Sequence, residues 1–193
     1  MLHIAQRMTR YFIQKGIVPE EEWEIYEYGF SITIYTMVST VGLLTIGMMM
    51  KRLEYTILIL TIFSLSQTHG GGYHANSHLK CFLTMVISLV LALGISYIPI
   101  EFKLAAAAFV ISIILLLAVP LTLHPNKAYL EIKASNMKRK SRLVTLITAG
   151  CALLGICVLK ISIIPFALAF TMAAVSRIYA AWERRKNKEV HIY

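Results

Sequence analysis

The chain has 193 residues, of which 58% are hydrophobic, and its formal net charge is +9 at neutral pH. This hydrophobic fraction exceeds what the core of one water-soluble domain needs, and it indicates a membrane protein. Most charges lie in segments between apolar runs, so membrane topology explains the positive charge better than a nucleic-acid partner does. Three cysteines cannot all pair, which argues against a disulfide scaffold.

The N-terminal segment, residues 1–16, predicts an amphipathic helix lying at the membrane interface. Apolar residues such as Ile4, Met8 and Phe12 recur at helical spacing, and Arg7 and Arg10 fall on the opposite face. A basic polar face suits anionic lipid headgroups. This pattern fits a plain membrane anchor and a substrate-docking segment equally well. Charges throughout the first 28 residues argue against a cleavable secretion signal.

Long runs free of Asp, Glu, Lys and Arg predict an all-α, polytopic integral membrane protein of six transmembrane helices in a single domain. The spans are expected at residues 19–50, 53–68, 82–100, 104–123, 143–159 and 161–181. The second of these spans is the shortest. Polar segments at residues 67–81 and 124–142 connect the spans and carry the groups capable of chemistry.

The distribution of positive charge predicts the orientation of the chain. With the N-terminus in the cytoplasm, 15 of the 19 Lys and Arg residues fall on the cytoplasmic side. The outer side then keeps only Lys51, Arg52, Lys103 and Lys160. This positive-inside bias predicts that both termini, and the segment 67–81, lie in the cytoplasm.

The segment 124–142 is strongly basic and is predicted to be a cytoplasmic loop. It contains Lys127, Lys138, Arg139 and Lys140. Such a run usually serves only to retain a loop in the cytoplasm. A basic surface near a reaction site could also hold an acidic segment of a substrate.

The segment 67–81 has the composition of a functional site. Three of the six histidines, His69, His74 and His78, lie here with Cys81 and three consecutive glycines. Ionisable groups at membrane depth are costly, so a concentration of them indicates function. Consecutive glycines favour a bent backbone or a close approach of two groups. The segment is therefore not predicted to be a lipid-facing helix.

One interpretation of this segment is a thiol nucleophile with a histidine base. Cys81 directly precedes an apolar run, so the helix dipole and Lys80 favour its thiolate form. On an unbroken helix His74 would be about 10 Å from Cys81 along the axis, too far for a hydrogen bond. Therefore the chain must bend between the two residues. His78 is closer on a helix, and His69 is the least constrained.

Two other interpretations remain open at this level. His74, His78 and Cys81 share one face of a helix, and imidazole with thiolate suits zinc or copper. No Asp or Glu lies nearby to act as the base of a metalloprotease, and the HExxH motif is absent. Alternatively, these groups line a polar cavity or a subunit contact in a non-enzymatic membrane transport or binding protein.

The motif Gly71-Gly72-Tyr73-His74-Ala75, with Cys81 seven residues after the histidine, resembles the accessory gene regulator B (AgrB) family of membrane cysteine endopeptidases. The similarity extends over essentially the whole chain. It includes the amphipathic N-terminus and the six-span length, and it continues in three short sequences: Val119-Pro120, Asn126-Lys127 and Lys140-Ser141.

The resemblance implies that Cys81 is the nucleophile and His74 its base. It implies that the substrate is a short AgrD-like propeptide, cleaved through an acyl-enzyme and cyclised to a thiolactone or lactone quorum-sensing signal. No cofactor and no metal are implied. The expected setting is the bacterial cytoplasmic membrane, with a homodimer as the assembly. Gln67-Thr68 departs from the family, in which a basic residue is expected in this region of many members.

Supporting residues are less constrained by the resemblance. The oxyanion donors could be backbone N–H groups near Gly71 and Gly72 or at the start of the third span. Asn76, Gln67 and Asn126 have side chains that could orient His74. Each could equally be an ordinary polar group of a loop.

Overall fold

The computed structural model describes residues 2–73, 77–119 and 131–190. His74 and Asn76 from the predicted site, together with Asn126 and Lys127, lie outside the described residues. Within them the chain is entirely helical. The α-helices are α1 (Leu2–Gln14), α2 (Trp23–Met49), α3 (Leu53–Gly70), α4 (His78–Ile95), α5 (Phe102–Ala118), α6 (Glu131–Cys157) and α7 (Ile163–Val190), and a short 3-10 helix (Glu20–Glu22) precedes α2.

Four helical stretches are long and apolar enough to cross a membrane. They are Glu20–Met49, His78–Ile95, Asn136–Cys157 and Ile163–Glu183. Helix α5 is also apolar but has only 17 residues. The all-helical membrane class predicted from the sequence is confirmed, and four of the six predicted spans have this length and composition.

The structure differs from the sequence prediction at the basic segment 124–142. From Glu131 onwards this segment is not a loop but the first turns of α6. The sequence from residue 131 to 142 contains no Gly or Pro and is rich in Glu, Lys, Arg, Ala and Met, which are good helix formers. Hydropathy reports burial in lipid rather than helical propensity, so it places the start of this helix at the apolar run and not at Glu131.

Helix α7 lies in the core of the bundle and packs against α3 and α5. Its inward side carries small residues, among them Ala169, Ala173 and Ala174, all of which are buried. Small residues allow helices to approach closely where lipid provides no hydrophobic driving force for association. Phe170 fills the remaining space and meets Phe109 of α5 edge to face, with ring centroids 5.2 Å apart.

The contacts between helices separate the bundle into two ends. At the first, which we call the Tyr97 end, Tyr97 donates a hydrogen bond to the carbonyl of Met50, and the guanidinium of Arg52 lies 4.6 Å from the Tyr97 ring centroid. At the opposite, Gly70 end, α3 meets α6 and α7, and α7 meets α5, through polar groups. Consecutive helices therefore run in alternate directions.

Helix α1 folds back onto the beginning of α2. Gln6 and Trp23 both donate hydrogen bonds to the Glu27 carboxylate, at 3.0 and 2.7 Å. Phe12 stacks on Phe30 with ring centroids 5.3 Å apart. These contacts hold the N-terminal helix against the bundle, and its placement at a membrane surface stays a prediction.

Replacing Phe170 with alanine should destabilise the bundle by about 2 kcal/mol or more. Removing a buried phenylalanine costs about 3–5 kcal/mol in a water-soluble core, and part of this cost is absent when the surroundings are lipid. Unfolding of the purified protein in detergent measures the change. Val175→Ala, which shortens an exposed side chain on the same helix, should have little effect. Equal losses in the two variants would contradict the assigned core.

Candidate active site

Cys81 lies in the first turn of α4, and its thiol is free and half-buried. Its backbone N–H donates to the carbonyl of Ser77 at 3.0 Å, closing the first hydrogen bond of the helix. The amides of His78, Leu79 and Lys80 precede that bond and have no intrahelical acceptor. Ser77 makes no side-chain capping bond to them. The thiol is thus at the positive end of a helix dipole, beside backbone donors that have no acceptor within the helix.

The chain leaves helical geometry between the predicted base and nucleophile, as the sequence argument requires. Helix α3 ends at Gly70, and Gly71 has a φ of +65° and a ψ of 170°. Residues with a side chain rarely adopt this conformation. The backbone of Ser77 is extended, and α4 begins only at His78. Therefore no straight helix runs through residues 74–81.

Steric contacts explain the two glycines that flank Gly71. A Cβ atom on Gly70 would overlap the guanidinium of Arg177, and one on Gly72 would overlap the amide of Gln67. Gly70 itself is buried. The glycine triplet is thus explained by one special backbone conformation and two close approaches.

Ser176 of α7 binds two parts of the segment that leads to His74. Its hydroxyl accepts a hydrogen bond from Gln67 Nε2 at 2.6 Å and another from the backbone N–H of Tyr73 at 3.1 Å. The other end of the Gln67 amide, Oε1, is buried and has no partner among the described residues. Ser176 therefore fastens the C-terminal end of α3 and the following loop to α7.

Arg177, the next residue, is 2% exposed at the Gly70 end of the bundle. Its Nη1 donates to the carbonyl of Leu116 at 2.6 Å, near the C-terminus of α5. That carbonyl is among the last of its helix and lacks an intrahelical donor. A cation is also favourable at a helix C-terminus. Arg177 thus joins α5 to α7 and fills the space above Gly70, next to Ser141 of α6.

Tyr73, which directly precedes His74, lies in an acidic aromatic environment. Its ring meets Tyr179 edge to face at 4.9 Å. Burial raises the pKa of the Tyr73 phenol above its ordinary value, and the nearby negative charges of Glu183, Tyr179 and Cys81 raise it further. The phenol is therefore neutral at physiological pH.

The remaining histidines of the segment have other contacts. The ring of His78 stacks on Tyr35 of α2, with centroids 4.3 Å apart. His69 donates from Nδ1 to the Leu65 carbonyl at 3.1 Å. Within the described part of the chain, no three His, Cys, Asp or Glu side chains form a metal-binding group. The alternative set predicted from the sequence includes His74, outside that part.

The basic residues of α6 form an exposed surface near the same end of the bundle. Lys138, Arg139 and Lys140 are all exposed. Lys138 and Arg139 line a shallow open depression with Arg142, Leu143 and Leu146. We call the five residues of this depression the basic α6 surface. It combines positive charge with two apolar side chains.

Sequence reasoning missed Ser176 and assigned Arg177 only to the cytoplasmic charge count. A serine within an apolar helix carries no signal of its own. Arg177, however, falls inside the predicted span 161–181, and a charge inside a span indicates function or structural necessity. That signal could have directed attention to α7.

Comparisons with known proteins identify one family. The model of the family described as accessory gene regulator B matches residues 5–180, which is most of the chain. A comparison with curated proteins and one with solved structures each found no match.

Replacing Gly71 with alanine should lower the free energy of unfolding by about 1–3 kcal/mol, because a side chain strains this backbone conformation. Gly29 is an exposed glycine of α2 with open space around it, so Gly29→Ala should be neutral or stabilising. Thermal unfolding of both variants makes the comparison. An unchanged Gly71→Ala protein would show that the assigned turn is wrong.

Proposed function

Because the chain belongs to the accessory gene regulator B family, whose members process quorum-sensing peptides at the membrane, we propose that it is a membrane cysteine endopeptidase. Its substrate is an AgrD-like propeptide, which it cleaves on the C-terminal side of the future ring. The observation that carries this proposal is the position of Cys81, a free thiol in the first turn of α4, which begins directly after the segment that contains His74.

His74 is the proposed general base and Cys81 the nucleophile. The extended backbone of Ser77 breaks helical geometry between the two residues, which supports this pairing. His78 is the weaker candidate, since its ring is stacked on Tyr35.

The reaction then proceeds in two acyl transfers. His74 takes the thiol proton as Cys81 attacks the carbonyl carbon, and the proton passes to the departing amine of the C-terminal fragment. The remaining acyl group is a thioester on Cys81. A thiol or hydroxyl within the propeptide attacks this thioester, forming the thiolactone or lactone ring and returning the proton to Cys81.

The oxyanion of each step needs backbone donors, and the first turn of α4 supplies the best candidates. The N–H of Gly71 donates to the Gln67 carbonyl, and that of Tyr73 donates to Ser176. Two of the donors near the glycines are therefore occupied, and the Gly72 N–H remains as the alternative candidate there. The free amides at the start of α4 adjoin Cys81 and benefit from the helix dipole.

The proposed setting of this chemistry is the bacterial cytoplasmic membrane. Six spans with both termini in the cytoplasm place the Gly70 end at the inner face, where a newly made propeptide is available. The positive-inside distribution supports this orientation. A homodimer is proposed from the family alone.

The basic α6 surface is the proposed contact for the acidic part of the propeptide. Its lysine and arginine side chains are exposed and lie beside Leu143 and Leu146. Opposite charges across such a surface steer association and orient the partner. Lys140, exposed on the same helix, and Lys127 belong to the same proposed contact.

Cys81→Ala should lower propeptide cleavage by at least about a thousandfold, because no other group replaces a missing nucleophile. Mass spectrometry of the propeptide, after incubation with the protein in vesicles, detects the truncated and cyclic products. It also detects the thioester adduct on the wild type. Cys151→Ala is the matched control, since that cysteine is exposed on α6. Cleavage that survives in Cys81→Ala would reject the proposed nucleophile.

His74→Ala should abolish cleavage in the same assay, whereas His78→Phe should retain it. Phenylalanine preserves the aromatic stacking on Tyr35 but cannot transfer a proton. The opposite result would make His78 the base. Loss of activity in both variants, together with one bound zinc or copper per chain by metal analysis, would favour the metal site.

Reversing Lys138, Arg139 and Lys140 to glutamate should raise the KM for the propeptide about tenfold, with a smaller change in kcat. The difference between variant and wild type should shrink at high salt, because exposed charges are screened. Lys103→Glu, at the start of α5 on the opposite end, controls for net charge. An unchanged KM in a correctly inserted triple variant would exclude this surface as the contact.

A further inference from the structure

We propose that Ser176 is a positioning residue for the catalytic base, acting through the backbone of Tyr73. This inference rests on the proposed function and adds a residue of α7 to it. The side chain of Ser176 is 103 positions from Tyr73 in the sequence, yet its hydroxyl accepts the Tyr73 N–H at 3.1 Å. Only one peptide bond separates Tyr73 from His74.

Ser176 accepts two hydrogen bonds, one from Gln67 and one from Tyr73, and we call this pair of bonds the clamp. The same hydroxyl oxygen accepts Gln67 Nε2 at 2.6 Å. Gln67 lies in the last turn of α3 and Tyr73 in the loop that follows. Ser176 thus fixes the distance between the end of α3 and the residue before the base, while the Gln67 amide lies against Gly72.

Arg177 limits the movement of Ser176. Its guanidinium is buried, bonded to the Leu116 carbonyl and packed over Gly70. Adjacent helical residues point about 100° apart, so one side chain anchors α7 to α5 while the next one reaches the loop. The clamp is therefore held on a rigid part of the bundle.

A second pair in the bundle provides a matched comparison. Ser112 of α5 forms a hydrogen bond with Thr171 of α7 at 3.0 Å, remote in sequence from residues 67–81. This bond also joins a serine to a neighbouring helix and is partly buried. Ser112→Ala therefore reports the loss of one interhelical hydrogen bond without disturbing the catalytic segment.

The experiment uses the full chain in vesicles, with Cys151 and Cys157 replaced by alanine so that Cys81 is the only thiol. The first measurement is the rate of Cys81 alkylation by iodoacetamide as a function of pH, which reports the coupling of the thiol to its base without any substrate. The second is kcat and KM for propeptide cleavage. The variants are Ser176→Ala, Ser176→Thr, Ser112→Ala and His74→Ala.

We expect Ser176→Ala to lower kcat between about ten- and a hundredfold, the size expected when a reacting group is displaced by about 1 Å. KM should change little. The pH profile of alkylation should shift toward that of His74→Ala. Ser176→Thr keeps the hydroxyl and should restore both kcat and the profile, and Ser112→Ala should retain the wild-type profile. Glu183→Gln should also retain it, showing that the profile does not report this neighbouring carboxylate.

A wild-type profile and kcat in Ser176→Ala would overturn the proposal, as would equal effects of Ser176→Ala and Ser112→Ala. If Ser176→Ala does not fold, Ser176→Val is compared with Ser176→Thr, because the two side chains have nearly the same shape and only threonine has a hydroxyl. Equal kcat values and alkylation profiles in these two variants would overturn the proposal. Failure of both Ala and Val to fold would assign Ser176 a structural role instead. If cleavage does not depend on Cys81, the proposed function fails, while the alkylation profile still tests Ser176.

Discussion

The buried guanidinium of Arg177 sets a constraint on every element at the Gly70 end of the bundle. A charged group removed from water is costly unless acceptors and closely packed groups surround it. The carbonyl of Leu116 must therefore lie at the level of Arg177 Nη1, and the residue facing the guanidinium from α3 must lack a side chain. Arg177 Nε and Nη2 are buried and have no partner among the described residues. These two requirements, on Leu116 and on the α3 residue, fix the positions of α3, α5 and α7 relative to one another along their axes. We call this alignment the register of the three helices, and apolar helix surfaces alone would specify it weakly.

The same register determines the geometry of the loop that leads to the proposed base. With Arg177 fixed, Ser176 faces the end of α3 and meets both Gln67 and the Tyr73 N–H. Gly71 turns the backbone at this point, and Gly72 accommodates the Gln67 amide. A backbone N–H that is turned away from water needs an acceptor within the protein. Ser176 supplies one for the Tyr73 N–H and holds the loop against α7.

Local features of the sequence predict much of this arrangement. The apolar runs give the helical class, the glycine triplet gives the break after α3, and the polar-to-apolar change after Cys81 gives a helix start nearby. The contacts of Ser176 were not predictable, because they join residues more than 100 positions apart through a side chain with no distinctive pattern. The sequence analysis predicted a loop where α6 begins, because basic residues have low hydropathy although they form helices readily.

The half-buried thiol at the start of α4 suits the proposed acyl transfer better than simple hydrolysis. In the proposed reaction, the thioester on Cys81 has to survive until the propeptide's own nucleophile reaches it, and water competes for the same carbonyl. A nucleophile tethered within the bound propeptide has a very high effective concentration once it is oriented. Tyr73 and Tyr179 pack edge to face at the end of the segment that leads to the proposed base. In the proposed reaction the tethered nucleophile favours ring closure over release of a linear acid, because its effective concentration exceeds that of water.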